Sequence, residues 1–207
     1  MQDRSFAPKT FSFLLITIGL YLLLWQAVAA RVSLPDYYYA RLIELLGIGL
    51  FIALALHTPM RFEEMGIVTD RATLFRSLAL GGGAALLAFF VLALFRPTDA
   101  PFFAWNLQGN TARMTYFLVA PLQEVLAKSV MYYSFELCFG KEHPWRTVGL
   151  SALTFGIFHV VYGTRMMLLS MALTVLTGWM FRRVRCVWGC ALTHFAFGFL
   201  PGCFGLA

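Results

Sequence analysis

Seven runs of apolar residues divide the chain, at 10–30, 42–57, 77–95, 114–139, 147–163, 166–181 and 187–206. A helix needs roughly 20 residues to cross the hydrocarbon core of a bilayer, with about 17 tolerated. In lipid the backbone has no water to bond to, so each run is expected to close its hydrogen bonds internally as a helix. The second and sixth runs are short by this measure. The seventh carries Pro201 and several glycines that can end it early. The expected fold is therefore all-α: a polytopic transmembrane bundle of seven to eight helices with a buried polar site.

Composition agrees. Of the 207 residues, 60% are hydrophobic and 13% charged, against about 25% charged in a soluble domain. No polar stretch is long enough to fold separately in water, so residues 1–207 are read as one membrane domain. The formal charge of +6 does not indicate nucleic acid, because the basic residues lie at the ends of apolar runs and act as topology signals. Cys138, Cys186, Cys190 and Cys203 all lie in apolar segments, where thiols pack as small hydrophobes and imply no disulfide framework.

The first run also has signal-peptide features: Arg4 and Lys9 before it and the sequence AVA at Ala27, Val28 and Ala29. It is read as a retained transmembrane helix. Residues 60–76 mix charges with Phe62, Met65, Ile67, Val68, Leu74 and Phe75, and are expected to lie as an amphipathic segment in the interface. Phe102, Phe103 and Trp105, in the longest loop, suit a headgroup boundary.

Alternate connections differ in basic residues. One set holds Arg4, Lys9, Arg61, Arg71, Arg76, Lys141, Arg146, Arg182, Arg183 and Arg185; the other holds Arg31, Arg41, Arg96, Arg113 and Arg165. The richer set belongs inside, which puts the N-terminus in the cytoplasm and, after seven spans, the C-terminus outside. A bacterial inner membrane is the expected location.

Within the runs, Glu44, Glu124, Lys128, Glu136, His159 and His194 are the groups a bilayer penalises. A charge at mid-membrane costs about 3 kcal/mol on insertion scales. Glu44 and Glu136 lie near run ends and are expected to snorkel toward water. Glu124 and Lys128 are four residues apart, on one helix face, in the favourable order for an ion pair. Taken alone they read as structural. His159 and His194, on two other helices, change that reading. A buried carboxylate with two imidazoles is the minimal set for activating water and holding an oxyanion. The same residues can ligate a divalent metal such as zinc, but no HExxH spacing points to one, and no cofactor is expected. Cys186, Cys190 and His194 share a helical face as well, and close helix packing accounts for them better than thiolate or metal chemistry. Gly81, Gly82, Gly83, Gly178, Gly189 and Gly198 are expected to let helices approach closely.

Taken in order, these residues resemble the motifs of the CAAX-protease and bacteriocin-processing (CPBP/Abi) family of intramembrane proteases. The family's EExxxR appears here as QEVLAK, with Gln123, Glu124 and Lys128. Its FxxxH is met by Phe155 and His159. Its HxxxN appears as His194 with Gly198 in the amide position. The resemblance covers residues 114–199. It implies a glutamic-type endopeptidase in a helical bundle, in which a carboxylate polarises the water and the histidines hold water and oxyanion. The catalytic set would be Glu124, His159 and His194, supported by Gln123, Lys128, Phe155 and Gly198.

The departures carry consequences. An amide at Gln123 cannot abstract a proton, so catalysis would depend on Glu124, which points about 100° away around the helix. Lys128 keeps the charge of the family's arginine but not its bidentate fork. Gly198 supplies no side-chain donor. The implied substrate is a membrane-embedded or membrane-proximal protein or peptide. With His159 toward the outer half of the bilayer, a C-terminal sorting or maturation signal fits better than a prenylated protein approached from the cytosol. Two alternatives stand beside this reading: a non-catalytic peptide-binding or immunity-type relative, and a proton-coupled transporter.

Overall fold

The computed structural model describes residues 6–29, 31–33, 36–58, 61–99, 102–105 and 111–206. Helix α1 spans Ala7–Ala29, α2 Asp36–His57, α3 Arg71–Phe95, α4 Thr111–Glu124, α5 Tyr133–Phe139, α6 Pro144–Ile157, α7 Thr164–Val184 and α8 Val187–Cys203. A π-helical segment, Val125–Tyr132, joins α4 to α5, and a 3₁₀ turn, Val160–Tyr162, links α6 to α7. Among the described residues the regular structure is entirely helical. Ala7–Val28, Arg71–Phe95 and Thr164–Val184 are long and apolar enough to cross a membrane. Their outward faces, such as Leu86, Leu87, Phe90 and Leu94 on α3, are exposed and apolar, the pattern of helices solvated by lipid.

Local chemistry sets the helix ends. Asp70 caps α3, its carboxylate accepting from Thr73 N at 2.9 Å and Thr73 Oγ1 at 2.7 Å. Pro144 opens α6, where a missing N–H costs nothing. Arg185, in the left-handed region at φ 43°, closes α7. Its guanidinium then makes a two-pronged contact with Glu136, at 3.0 and 2.6 Å.

Contacts between connections sort them to two ends. At one end, Cys138 Sγ donates to Ala7 O, Val187 N to Gly66 O, and Arg185 Nε to Glu64 O. At the other, Ala104 N donates to Cys203 O, and the rings of Phe102 and Phe103 pack on Phe204. Phe102 and Trp105 are exposed there. The segment expected to lie along the interface is anchored to the bundle at one turn. Residues 61–66 make tight turns, Met65 is buried, and its carbonyl accepts from Ser129 Oγ at 2.8 Å. Met60 lies outside the described residues. The turn's carbonyls find donors in the bundle, which anchors Met65 inward, while Phe62, Val68 and Phe75 keep the exposed apolar face.

Helices α3 and α8 cross backbone to backbone. A Cβ at Gly81 would overlap the Gly189 backbone, and one at Gly189 would overlap Ser77. The close approach has a polar use as well. Ser77 Oγ donates to Cys186 O at 3.1 Å and accepts from Gly189 N at 3.0 Å, satisfying an amide of the first turn of α8. Gly82 and Gly83 face open space and play no such part.

Candidate functional site

The rod formed by α4, the π segment and α5 passes through the bundle centre. Every residue from Leu126 to Tyr132 is buried, and only a helix packed on all sides can be buried all round. Pro121 lies in the turn before Glu124 and removes one backbone donor there. Glu124 then sits at the mouth of the π segment and Lys128 inside it, and wide π turns recur where side chains are presented for function.

Glu124 and Lys128 are both 0% exposed. Glu124 Oε1 accepts from His194 Nδ1 at 3.1 Å and, more weakly, from Thr177 Oγ1 at 3.4 Å. Lys128 Nζ stands 3.5 Å from Glu124 Oε2, near enough for ion pairing but without hydrogen-bond geometry, and neither atom has a hydrogen-bond partner among the described residues. One side chain each from α7 and α8 thus converges on the carboxylate. Since a carboxylate oxygen only accepts, His194 must carry its proton on Nδ1, which leaves Nε2 with a lone pair when the ring is neutral.

Gln123 turns the other way, as adjacent helical residues must. Its Nε2 donates to Glu44 Oε1 at 3.2 Å, and Glu44 Oε2 pairs with Arg41 Nη1 at 2.8 Å. Glu44 and Glu136 are both buried, Glu44 gripped by Arg41 and Gln123 and Glu136 by Arg185. Neither snorkels, because each finds a cation and a hydrogen-bond donor inside the bundle, which water would otherwise have to supply.

Gln123 also lines a cavity of about 30 Å³ between α1, α2 and α6, together with Thr17, Ile18, Ile43, Thr154 and His159. That volume admits a water molecule. His159 lies past the end of α6, two residues after Ile157, and donates Nδ1–H to Phe155 O at 2.8 Å. This leaves its Nε2 unprotonated when the ring is neutral. The Phe155 ring packs on both imidazoles, with centroids 4.5 Å from His159 and 5.8 Å from His194. Glu124, His194 and Lys128 therefore form one cluster. Gln123 and His159 line the neighbouring cavity, and Phe155 touches both.

Gly198 has a partner that the motif pattern does not announce. A Cβ there would overlap the Tyr116 hydroxyl, and the Tyr116 ring stacks on Phe195 and meets His194 edge-on at 6.2 Å. Thr177 and Tyr116 are the residues sequence reasoning passed over, and Glu44 was assigned to the membrane edge rather than to the site. Glu44 had a signal, a carboxylate inside an apolar run with Arg41 one turn before it. Thr177 and Tyr116 had none, since both are common in apolar helices. Cys190 Sγ donates to Thr177 O at 3.2 Å, which accounts for that thiol as packing behind the carboxylate. Among the described residues no three His, Cys, Asp or Glu side chains are grouped to hold a metal ion.

A helical membrane bundle with a carboxylate–imidazole pair buried at its centre defines a class: integral membrane proteins with an intramembrane polar site. Residues 86–200, more than half of the chain, match the family model described as type II CAAX prenyl endopeptidase Rce1-like, and the chain belongs to that family. The match begins within α3, upstream of the motif-bearing residues 114–199. No curated protein and no solved structure matches the chain.

Proposed function

We propose that the chain is an intramembrane endopeptidase that hydrolyses a peptide bond in a membrane-associated protein or peptide, with Glu124, His194 and His159 as its water-activating set. The observation that carries this reading is the 3.1 Å contact between Glu124 Oε1 and His194 Nδ1. A carboxylate at Nδ1 orients an imidazole and stabilises the imidazolium that forms when Nε2 takes a proton. Glu124 in this reading works through His194, because its own Oε1 is occupied and it is fully buried. The water oxygen attacks the peptide carbonyl carbon and its proton passes to His194 Nε2. The carbon–nitrogen bond then breaks, and that proton leaves on the amine. His159, which lines the cavity beside Phe155, holds the same water in this reading. Lys128 offsets the charge of Glu124.

The substrate class follows from the apolar walls of the cavity. The family description names a prenylated CAAX protein; the basic-residue asymmetry, with a cytoplasmic N-terminus, favours a C-terminal sorting or maturation signal of an exported protein. Both are testable on purified protein in vesicles, with an S-farnesylated CAAX peptide and an apolar sorting-helix peptide as substrates. The wild type is expected to cleave one of them, and Glu124→Gln to lose about 100-fold or more in kcat. Full activity in Glu124→Gln would sink the assignment.

A second reading is favoured by the amide at Gln123 and the missing side chain at Gly198: a relative that binds a peptide in the same cavity without cutting it. Peptide binding that survives replacement of both His159 and His194, with no cleavage by the wild type, would establish it.

A further inference from the structure

Glu44 is a buried carboxylate for which the catalytic scheme has no use, yet it reaches from α2 to the motif helix. Paired with Arg41 at 2.8 Å, it acts as an acceptor only. The Gln123 amide must then present its NH₂ to Glu44, as the 3.2 Å contact records, and its carbonyl oxygen away from Glu44. Gln123 lines the cavity that also holds His159. We infer that Glu44 is a positioning residue of this site: it locks the Gln123 amide so that Oε1 faces the cavity as an acceptor for a backbone N–H of the bound peptide, beside His159. An unlocked glutamine can present either its oxygen or its NH₂ group. A peptide strand offers both N–H and C=O, so an unfixed amide would accept two registers of the substrate. A fixed one admits the register that places one carbonyl near the imidazoles. Burial strengthens the lock, because neither Glu44 nor Gln123 can trade its partner for bulk water.

The inference rests on the proposed endopeptidase reading and deepens it, and its test separates the two. Binding of whichever peptide the wild type cleaves, the S-farnesylated CAAX peptide or the sorting-helix peptide, is measured in the Glu124→Gln background, with each backbone N–H methylated in turn. Methylation at one position is expected to weaken binding about ten-fold when Glu44 is present, and by no more than about two-fold in Glu44→Gln. Glu44→Gln alone is expected to weaken the unmethylated peptide about ten-fold. The reciprocal pair Glu44→Gln/Gln123→Glu, which keeps the interhelical hydrogen bond and an acceptor at position 123, is expected to restore affinity to within about three-fold. That rescue also excludes misfolding as the cause. Equal methylation profiles with and without Glu44, or wild-type affinity in Glu44→Gln, would overturn the inference and leave the endopeptidase reading standing. Cleavage by Glu124→Gln itself, or no binding of either the S-farnesylated CAAX peptide or the sorting-helix peptide by any variant, would overturn both.

Discussion

Replacing Lys128 by methionine removes the full cation that stands beside a fully buried carboxylate. At the observed 3.5 Å separation, Coulomb's law with an effective dielectric near 20 gives roughly 5 kcal/mol. Measured losses on breaking buried pairs run about 3–5 kcal/mol, because the surviving charge is left without compensation. His194 still donates to Glu124 Oε1 in the variant, so the lower end applies, and Lys128→Met is expected to cost about 3 kcal/mol. The double variant Glu124→Gln/Lys128→Met removes both charges and is expected to lie within about 1 kcal/mol of the wild type. Unfolding titrations with SDS in mixed micelles, run as a double-mutant cycle, measure both quantities. If Lys128→Met unfolds like the wild type, or if the double variant costs the sum of the singles, the pair is not coupled and the electrostatic argument fails.

Other outcomes follow from the same geometry. Gly198→Asn places a side chain where the Tyr116 hydroxyl lies and should destabilise the bundle by about 1–3 kcal/mol; adding Tyr116→Ala should recover most of that loss in the same titration, and an unchanged loss would show that Tyr116 is not the obstacle. The Thr73 amide and hydroxyl hold the Asp70 carboxyl below its ordinary value of 3.8. A group depressed on folding stabilises above its unfolded pKa, and that contribution is lost as pH falls through the lower folded value. Hydrogen exchange at the Thr73 amide should therefore speed up in acid beyond its intrinsic trend in the wild type and not in Asp70→Asn; a matching pH profile in both would contradict the cap.

Much of this architecture was legible in the chain itself. Among the described residues each of the seven apolar runs overlaps a helix, since hydropathy and the need to close backbone hydrogen bonds act over a single segment. The run at 114–139 shows where that reasoning stops. Its extent was readable, but the π segment within it was not, because the wide turn depends on packing against α2, α6, α7 and α8. Residues 60–76 show the same limit. Their amphipathic pattern was readable, but not that Ser129 and the α7–α8 link, distant in sequence, anchor the turn at Glu64, Met65 and Gly66.

The candidate site divides in the same way. Glu124, Lys128, His159 and His194 were visible one by one because a lipid environment makes any ionisable residue expensive and hence conspicuous. Which of them meet was decided by tertiary structure alone. Helix periodicity requires Gln123 and Glu124 to diverge, but not that Glu124 turns to His194 and Thr177 while Gln123 turns to Glu44. Those choices come from where α2, α7 and α8 lie around the central rod. The sequence by itself determined that this chain is a membrane bundle with charges inside; only the packing of distant helices decided which charge answers which, because hydropathy is a property of one segment and pairing is a property of two.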